Sequence, residues 1–77
     1  MRRARLRVPN TKSLVDKLYR LVHEQAIEVA LGGSYNYEPA LERIRRQLVQ
    51  VGLHPGEVVW EEMQARSSAD ALLRALT

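Results

Sequence analysis

Apolar residues recur with helical spacing along most of the chain. Over residues 11–31 they fill one half of a helical wheel at roughly 100° per residue, and charged residues fill the other half. The candidate N-cap residues, which all carry short polar side chains, are Asn10, Thr11 and Ser13. The pair Gly32-Gly33 is typical of a helix end. The apolar half is wider than one neighbouring helix can cover, so we expect this helix to be the spine of the fold.

A second amphipathic stretch covers residues 39–51 and opens with Pro39, a residue suited to the first turn of a helix. Its apolar stripe is narrower, as expected for a helix that lies on one face. Gly52 followed by Leu53 predicts a Schellman ending, in which Leu53 folds back on Leu48. We therefore expect a second helix that ends near Val51.

The third segment begins with the sequence HPGE, where Pro55 again suits a first turn. A continuous helix over residues 55–76 aligns one long apolar stripe, interrupted by Glu62. A break at Ser67-Ser68 leaves two short stripes instead, and the spacing to Asp70 resembles a capping box that restarts a helix. We expect a bent or interrupted helix. The whole pattern predicts a small all-α bundle of three or four helices.

Positive charge is concentrated at the N-terminus. The chain has 12 Lys and Arg against 9 Asp and Glu, a net charge of +3. Four of the positive charges are Arg2, Arg3, Arg5 and Arg7. The rest of the chain is therefore close to neutral. We expect residues 1–10 to form a basic extended arm that contacts phosphates, and residues 11–77 to form a single helical domain.

Arginines alternate with apolar residues in the arm, RRARLRV. In an extended chain this alternation puts Arg3, Arg5 and Arg7 on one face. The arm resembles the recognition ribbon of ribbon-helix-helix proteins, and the resemblance implies a dimer whose paired strands read the DNA major groove. It ends after about residue 15, because that family has a short first helix and a tight turn. A tail ordered by phosphate or by an acidic protein surface is the other interpretation, and the one we prefer.

Residues 53–63, LHPGEVVWEEM, resemble the opening of antitoxins of the host-inhibition-of-growth type, which place a similar stretch before a helix-turn-helix. The residues that follow are too few for that DNA-binding unit. Helix-capping chemistry alone accounts for the match. We therefore assign no family on this stretch.

Residues that carry catalysis or hold a metal are sparse. The chain has no Cys and only two His, and Gly32-Gly33 follows a helix, which is the wrong context for a phosphate-binding loop. Five of the nine acidic residues have a basic residue four positions away in one direction or the other, as in Asp16–Arg20 and Glu62–Arg66, which is typical of a solvated helix face. We expect a protein without enzymatic activity or cofactor.

The chain contains no apolar run that could span a bilayer and no secretory signal. The lack of cysteine fits a reducing compartment. We therefore expect a cytoplasmic protein with no membrane contact.

Gln25 projects into the apolar half of the first helix. Such an amide either bonds a backbone carbonyl, which we prefer, or meets its own copy across a two-fold axis. A 77-residue core without disulfides is marginal. We therefore expect a homo-oligomer or a subunit of a larger assembly.

Arg43 and Arg45 have no obvious partner on their own helix, so they are candidates to extend the basic surface of the arm. Our leading expectation is a nucleic-acid-associated regulatory or accessory protein that contacts DNA or RNA through the arm. The alternative is a protein–protein adaptor or inhibitor that binds through Tyr35, Tyr37 and Trp60, since Tyr and Trp are enriched at binding hot spots. The two tyrosines also suit a simpler role as a lid on the open end of the bundle.

Overall fold

The computed structural model describes residues 10–76. It contains three helices, α1 (Thr11–Ala30), α2 (Glu38–Gln50) and α3 (Pro55–Leu76), and no strand within that range. The prediction of a small all-α bundle is confirmed. Residues 1–9, which hold the predicted arm, lie outside the described part. No helix in residues 10–76 combines the length and apolar content needed to cross a membrane.

Both ends of α1 are closed by local hydrogen bonds. Asn10 is the N-cap, and its Oδ1 accepts a hydrogen bond from the backbone N–H of Ser13 at 2.7 Å. At the other end Gly32 has a φ of 80°, and the N–H of Gly33 donates to the carbonyl of Glu28 at 2.8 Å. This is the Schellman pattern, which needs a residue that tolerates the left-handed conformation. The glycine pair therefore ends α1 where the sequence predicts.

The end of α2 has the same Schellman pattern. Gly52 has a φ of 111°, and the N–H of Leu53 donates to the carbonyl of Leu48 at 3.0 Å. The Leu53 side chain packs against the core to which Leu48 belongs. The predicted Schellman ending is confirmed.

The turn before α3 is a reciprocal capping box built on a histidine. His54 Nδ1 accepts from the N–H of Gly56 at 3.3 Å, and Glu57 Oε1 accepts from the N–H of His54 at 2.9 Å. Each of these bonds satisfies a backbone donor that the start of a helix leaves unpaired. The HPGE sequence therefore has a structural role at this helix end.

The predicted interruption of the third helix is wrong, because α3 is unbroken from Pro55 to Leu76. Ala65 and Ala69 flank the two serines and are fully buried, and Val58 extends the same stripe. Ser67 and Ser68 lie on the exposed side. A break between the alanines would pull part of this stripe away from the core, so the burial of the stripe outweighs the local capping preference of Ser67.

Nine buried side chains form the core, three from each helix: Leu14, Leu18, Val22, Leu41, Ile44, Leu48, Val58, Ala65 and Ala69. As its wide apolar half predicts, α1 packs against both neighbours, whereas α2 and α3 touch each other least. The first helix is therefore the spine of the bundle.

Contacts at the two ends of α1 fix the direction of α3. Thr11 lines a groove with Gly56 at the start of α3, and Gln25 is hydrogen-bonded to Arg66 further along it. The helices α1 and α3 therefore run parallel. Each turn reverses the chain, so α2 runs antiparallel to both.

Candidate nucleic-acid interface

Seven of the eight cations of the helices, all but Arg74, fall into two groups. Those of the first group each form an ion pair with a carboxylate: Lys12, Arg45, Arg46 and Arg66. Those of the second group form no ion pair within residues 10–76: Lys17, Arg20 and Arg43. The carboxylate of a paired guanidinium or ammonium neutralises part of its charge, so the paired cation attracts a phosphate less strongly. The second group is therefore the better candidate for an anion.

Arg45 belongs to the first group, which corrects the prediction that it lacks a partner on its own helix. Its Nη1 donates to Glu38 at 2.6 Å and to Glu42 at 3.1 Å. Its Nε and Nη2 donate to the two carboxylate oxygens of Glu62 on α3, at 2.7 and 2.9 Å. This bidentate fork is the strongest form of ion pair. Arg45 therefore joins α2 to α3 and is no longer a candidate for phosphate contact.

Glu62 also binds Arg66, which connects it to α1. Its Oε2 also accepts from Arg66 Nη2 at 2.6 Å, and Arg66 Nη1 donates to Gln25 Oε1 at 3.2 Å. Gln25 thus bonds a side chain of α3, and neither of the partners expected for it is the one observed. We call the five residues Glu38, Glu42, Arg45, Glu62 and Arg66 the charge network.

The charge network shifts the ionisation of its members. Hydrogen bonds from Arg45 lower the pKa of Glu62 below the ordinary glutamate value, and the bond from Arg66 acts in the same sense. Burial opposes this shift, since only 13% of the Glu62 side chain is exposed. The bonds to Glu62 and Glu38 raise the pKa of Arg45 further above its already high value. Both ions are therefore stabilised in the folded state.

Because the pKa of Glu62 is lowered by folding, its ion pairs stabilise the fold above the ordinary glutamate pKa of 4.5 and cease to do so as the pH falls through the lowered value. We expect Glu62→Gln to lower the free energy of unfolding at neutral pH by about 1–2 kcal/mol. The gap between parent and variant should narrow steadily below pH 4.5. Thermal unfolding followed by circular dichroism across this range measures it. A gap that stays constant down to pH ~3 would contradict the assignment.

The unpaired cations line one groove between α1 and α2, of about 330 Å³. Lys17 and Arg20 are three residues apart on α1 and share a side of that helix, and Arg43 faces them from α2. All three side chains are exposed. We call this groove, with its three cations, the basic groove.

The remaining walls of the basic groove are mainly apolar. Ala40, Leu21 and Ile44 form the floor, and Gln47 adds an amide beside the cations. Glu24 is the one carboxylate in the lining, and it forms no ion pair with the cations of the groove. Three positive charges against one negative leave an excess of +2 in the groove.

Two of the three cations of the basic groove, Lys17 and Arg20, lie in the N-terminal half of α1. Lys17 is six residues from Thr11, about 9 Å along the helix axis. Arg2, Arg3, Arg5 and Arg7 lie outside the described residues, so their role in phosphate binding stays a prediction.

The aromatic candidates do not form one surface. Tyr35 and Tyr37 lie in the turn that follows α1, with ring centroids 4.7 Å apart in an edge-to-face arrangement. Tyr37 packs against the core, while Tyr35 is exposed. Trp60 lies beside Thr11 at the opposite end of α1, about 30 Å away along the helix. A partner that contacts all three has to span the length of the bundle.

A histidine and a serine meet between α1 and α3. Ser68 Oγ lies 3.3 Å from His23 Nε2, and His23 Nδ1 donates to the carbonyl of Tyr19 at 2.7 Å. A nucleophilic serine also needs donors for the oxyanion, yet the backbone N–H groups around Ser68 are used inside α3. We interpret the pair as a structural contact that connects α1 to α3. Within residues 10–76, no group of three or more His, Asp and Glu residues could hold a metal ion.

The sequence contained a signal for part of the basic groove. Lys17 and Arg43 have no acidic residue three or four positions away in either direction, so neither can form an ion pair within its own helix. Arg20 gave no such signal, because Asp16 precedes it by four positions. In the structure Asp16 pairs with Lys12 instead, at 3.2 Å. The predicted pair Glu62–Arg66 is confirmed.

Comparison with known proteins finds no family model that matches the chain, and no curated protein or solved structure that is significantly similar to it.

Proposed function

We propose that this protein is a nucleic-acid-associated accessory or regulatory protein that holds a phosphate backbone between its N-terminal arginine arm and the basic groove. The observation that carries the proposal is the unpaired state of Lys17, Arg20 and Arg43 on a single face. Arg45, Arg46 and Arg66, on other parts of the surface, are paired with carboxylates. The unpaired cations Lys17, Arg20 and Arg43 are thus gathered in one groove between α1 and α2.

Phosphate is the ligand class that this arrangement suits. Guanidinium groups bind phosphate oxygens bidentately, and exposed cations without carboxylate partners release condensed counterions when they contact a nucleic acid. The arm supplies four cations per chain and the basic groove three. If all seven contact phosphates of a duplex, log–log salt dependence of the binding constant has a slope of about −6 per chain. A homodimer, which the small core favours, doubles this value.

A matched pair of double variants tests the basic groove. Lys17→Ala/Arg43→Ala removes one lysine and one arginine that are unpaired, and Lys12→Ala/Arg46→Ala removes one of each that are paired. Both variants have the same net charge, so long-range electrostatics cancel in the comparison. We expect the first to weaken binding to a short duplex by roughly 10- to 100-fold at about 0.1 M salt and to reduce the salt slope by about 2. The second should change the affinity less than about 3-fold.

Fluorescence anisotropy of labelled DNA and RNA across a salt series measures these values. Equal losses in the two double variants would show that net charge alone matters and would reject the basic groove. A parent protein without salt-dependent affinity for either nucleic acid would reject the proposed function.

A further inference from the structure

A second groove, of about 340 Å³, lies between the N-terminal ends of α1 and α3. Its lining comes from the first residue of α1, the preceding turn and the first turns of α3: Thr11, Leu53, Gly56, Glu57, Trp60 and Glu61. Trp60 is 56% exposed, and Leu53 is half-buried. The groove therefore offers an aromatic and aliphatic surface of the kind found at binding sites.

The charged side chains of this groove are both acidic. Glu57 and Glu61 are one turn apart on α3 and share a side of that helix. Neither carboxylate forms an ion pair within residues 10–76. Glu57 uses one oxygen to accept from the N–H of His54, and its other oxygen is free for a cation. The occupant that this surface fits is therefore basic as well as apolar.

We propose that the N-terminal arm, residues 1–9, docks in this groove and is displaced from it by a phosphate backbone. The chain enters the described fold at Asn10, directly beside Thr11 on the groove wall. Nine residues reach up to about 30 Å when extended, whereas the stretch from Glu57 to Glu61 rises only about 6 Å along α3. A short tether keeps the local concentration of the arm near the groove in the millimolar range. The arm is therefore the nearest basic ligand of this surface.

The chemistry of the arm matches the groove in both respects. Its arginines complement the two carboxylates, and a guanidinium over the face of Trp60 gains a cation–π interaction. The aliphatic stems of the same arginines supply apolar contact for Leu53. Docking lowers the fraction of chains whose arm is open to nucleic acid. This regulation rests on the proposed function, whereas the docking itself does not.

Trp60 is the single tryptophan of the chain and reports on the groove directly. In the full-length protein we expect the docked arm to shield it. Replacing Arg2, Arg3, Arg5 and Arg7 by alanine should raise the acrylamide quenching constant about twofold and shift the emission to longer wavelength, and high salt should do the same to the parent. Glu57→Gln/Glu61→Gln should reproduce both changes, and the amide oxygen introduced at position 57 still accepts the capping bond.

Asp16→Asn/Glu24→Gln removes the same amount of charge from α1, outside this groove, and should leave the fluorescence of Trp60 unchanged. Circular dichroism checks that each variant keeps its helices. Identical quenching in the parent and the arm variant would overturn the docking. Shielding that increases with protein concentration would overturn it as well, because the occupant would then be a second copy.

Titration with a short DNA duplex separates the docking from the proposed function. We expect the duplex to expose Trp60 in the parent to the level seen in the arm variant. A duplex that binds through the arm without changing Trp60 would overturn the docking and leave the function intact. The protein could also show shielding of Trp60 that depends on the arm and yet bind no nucleic acid. That result would support the docking and overturn the displacement of the arm by phosphate.

Discussion

Leu18→Ala is expected to lower the free energy of unfolding by about 3–5 kcal/mol, a large part of the stability of a domain of this size. Leu18 is fully buried, with 0% exposure, and lies at the middle of the α1 stripe that packs against both neighbours. Truncation removes the apolar contacts of the side chain and leaves a cavity that two separate helices line, so neither can close it alone. The loss should lower the melting temperature by at least ~12 °C.

Val29→Ala is the matched control, because Val29 lies on the same helix but is 68% exposed. Its effect should stay below about 1 kcal/mol. Urea and thermal unfolding followed by circular dichroism measure both variants. Equal effects at the two positions would be inconsistent with the α1-centred core.

Ser67→Pro is expected to cost about 3 kcal/mol or more, because proline removes a helical hydrogen bond and its ring clashes with the carbonyl one turn earlier, that of Met63. The residue lies in the interior of the continuous α3 helix, on its exposed side. Ser67→Ala changes no backbone bond and should be neutral or slightly stabilising.

The proline variant distinguishes the continuous helix from the interrupted one that the local sequence suggests. Proline is well tolerated in the first turn of a helix, so a helix that restarts at Ser67-Ser68 would accept it at little cost. Chemical denaturation of the two Ser67 variants gives the difference directly. A loss below about 1 kcal/mol for the proline variant would contradict the continuous α3.

The number of helices and most of their ends follow from local sequence signals. The N-cap Asn10 and the glycines at positions 32 and 52 act within a few residues of themselves, so the sequence reveals them. Ser67 is a position at which the local signals give the wrong prediction. Its local preference for a helix start is outweighed by the burial of Ala65 and Ala69, which depends on where α1 lies. That information is tertiary and has no local signature.

The candidate site was only partly predictable for the same reason. Glu62 lies 17 positions from Arg45, and Arg66 lies 41 positions from Gln25, so neither contact follows from helical spacing. The prediction of Arg45 as a phosphate ligand also overlooked Glu42, three positions before it, which is a partner that helical spacing does reveal. Lys17 was missed even though it has no acidic residue three or four positions away on its own helix. Which cations remain without an ion pair can be determined only when the packing of the helices is known.

The parallel course of α1 and α3 gives the bundle a permanent electrical polarity. Peptide dipoles in each helix sum to about half an elementary charge, positive at the N-terminus and negative at the C-terminus. The antiparallel α2 cancels one of the two parallel dipoles and leaves the other. The positive pole therefore lies at the end where Asn10 connects the arm to the fold. This field belongs to the backbone, so neither side-chain substitution nor titration removes it while the helices stay folded.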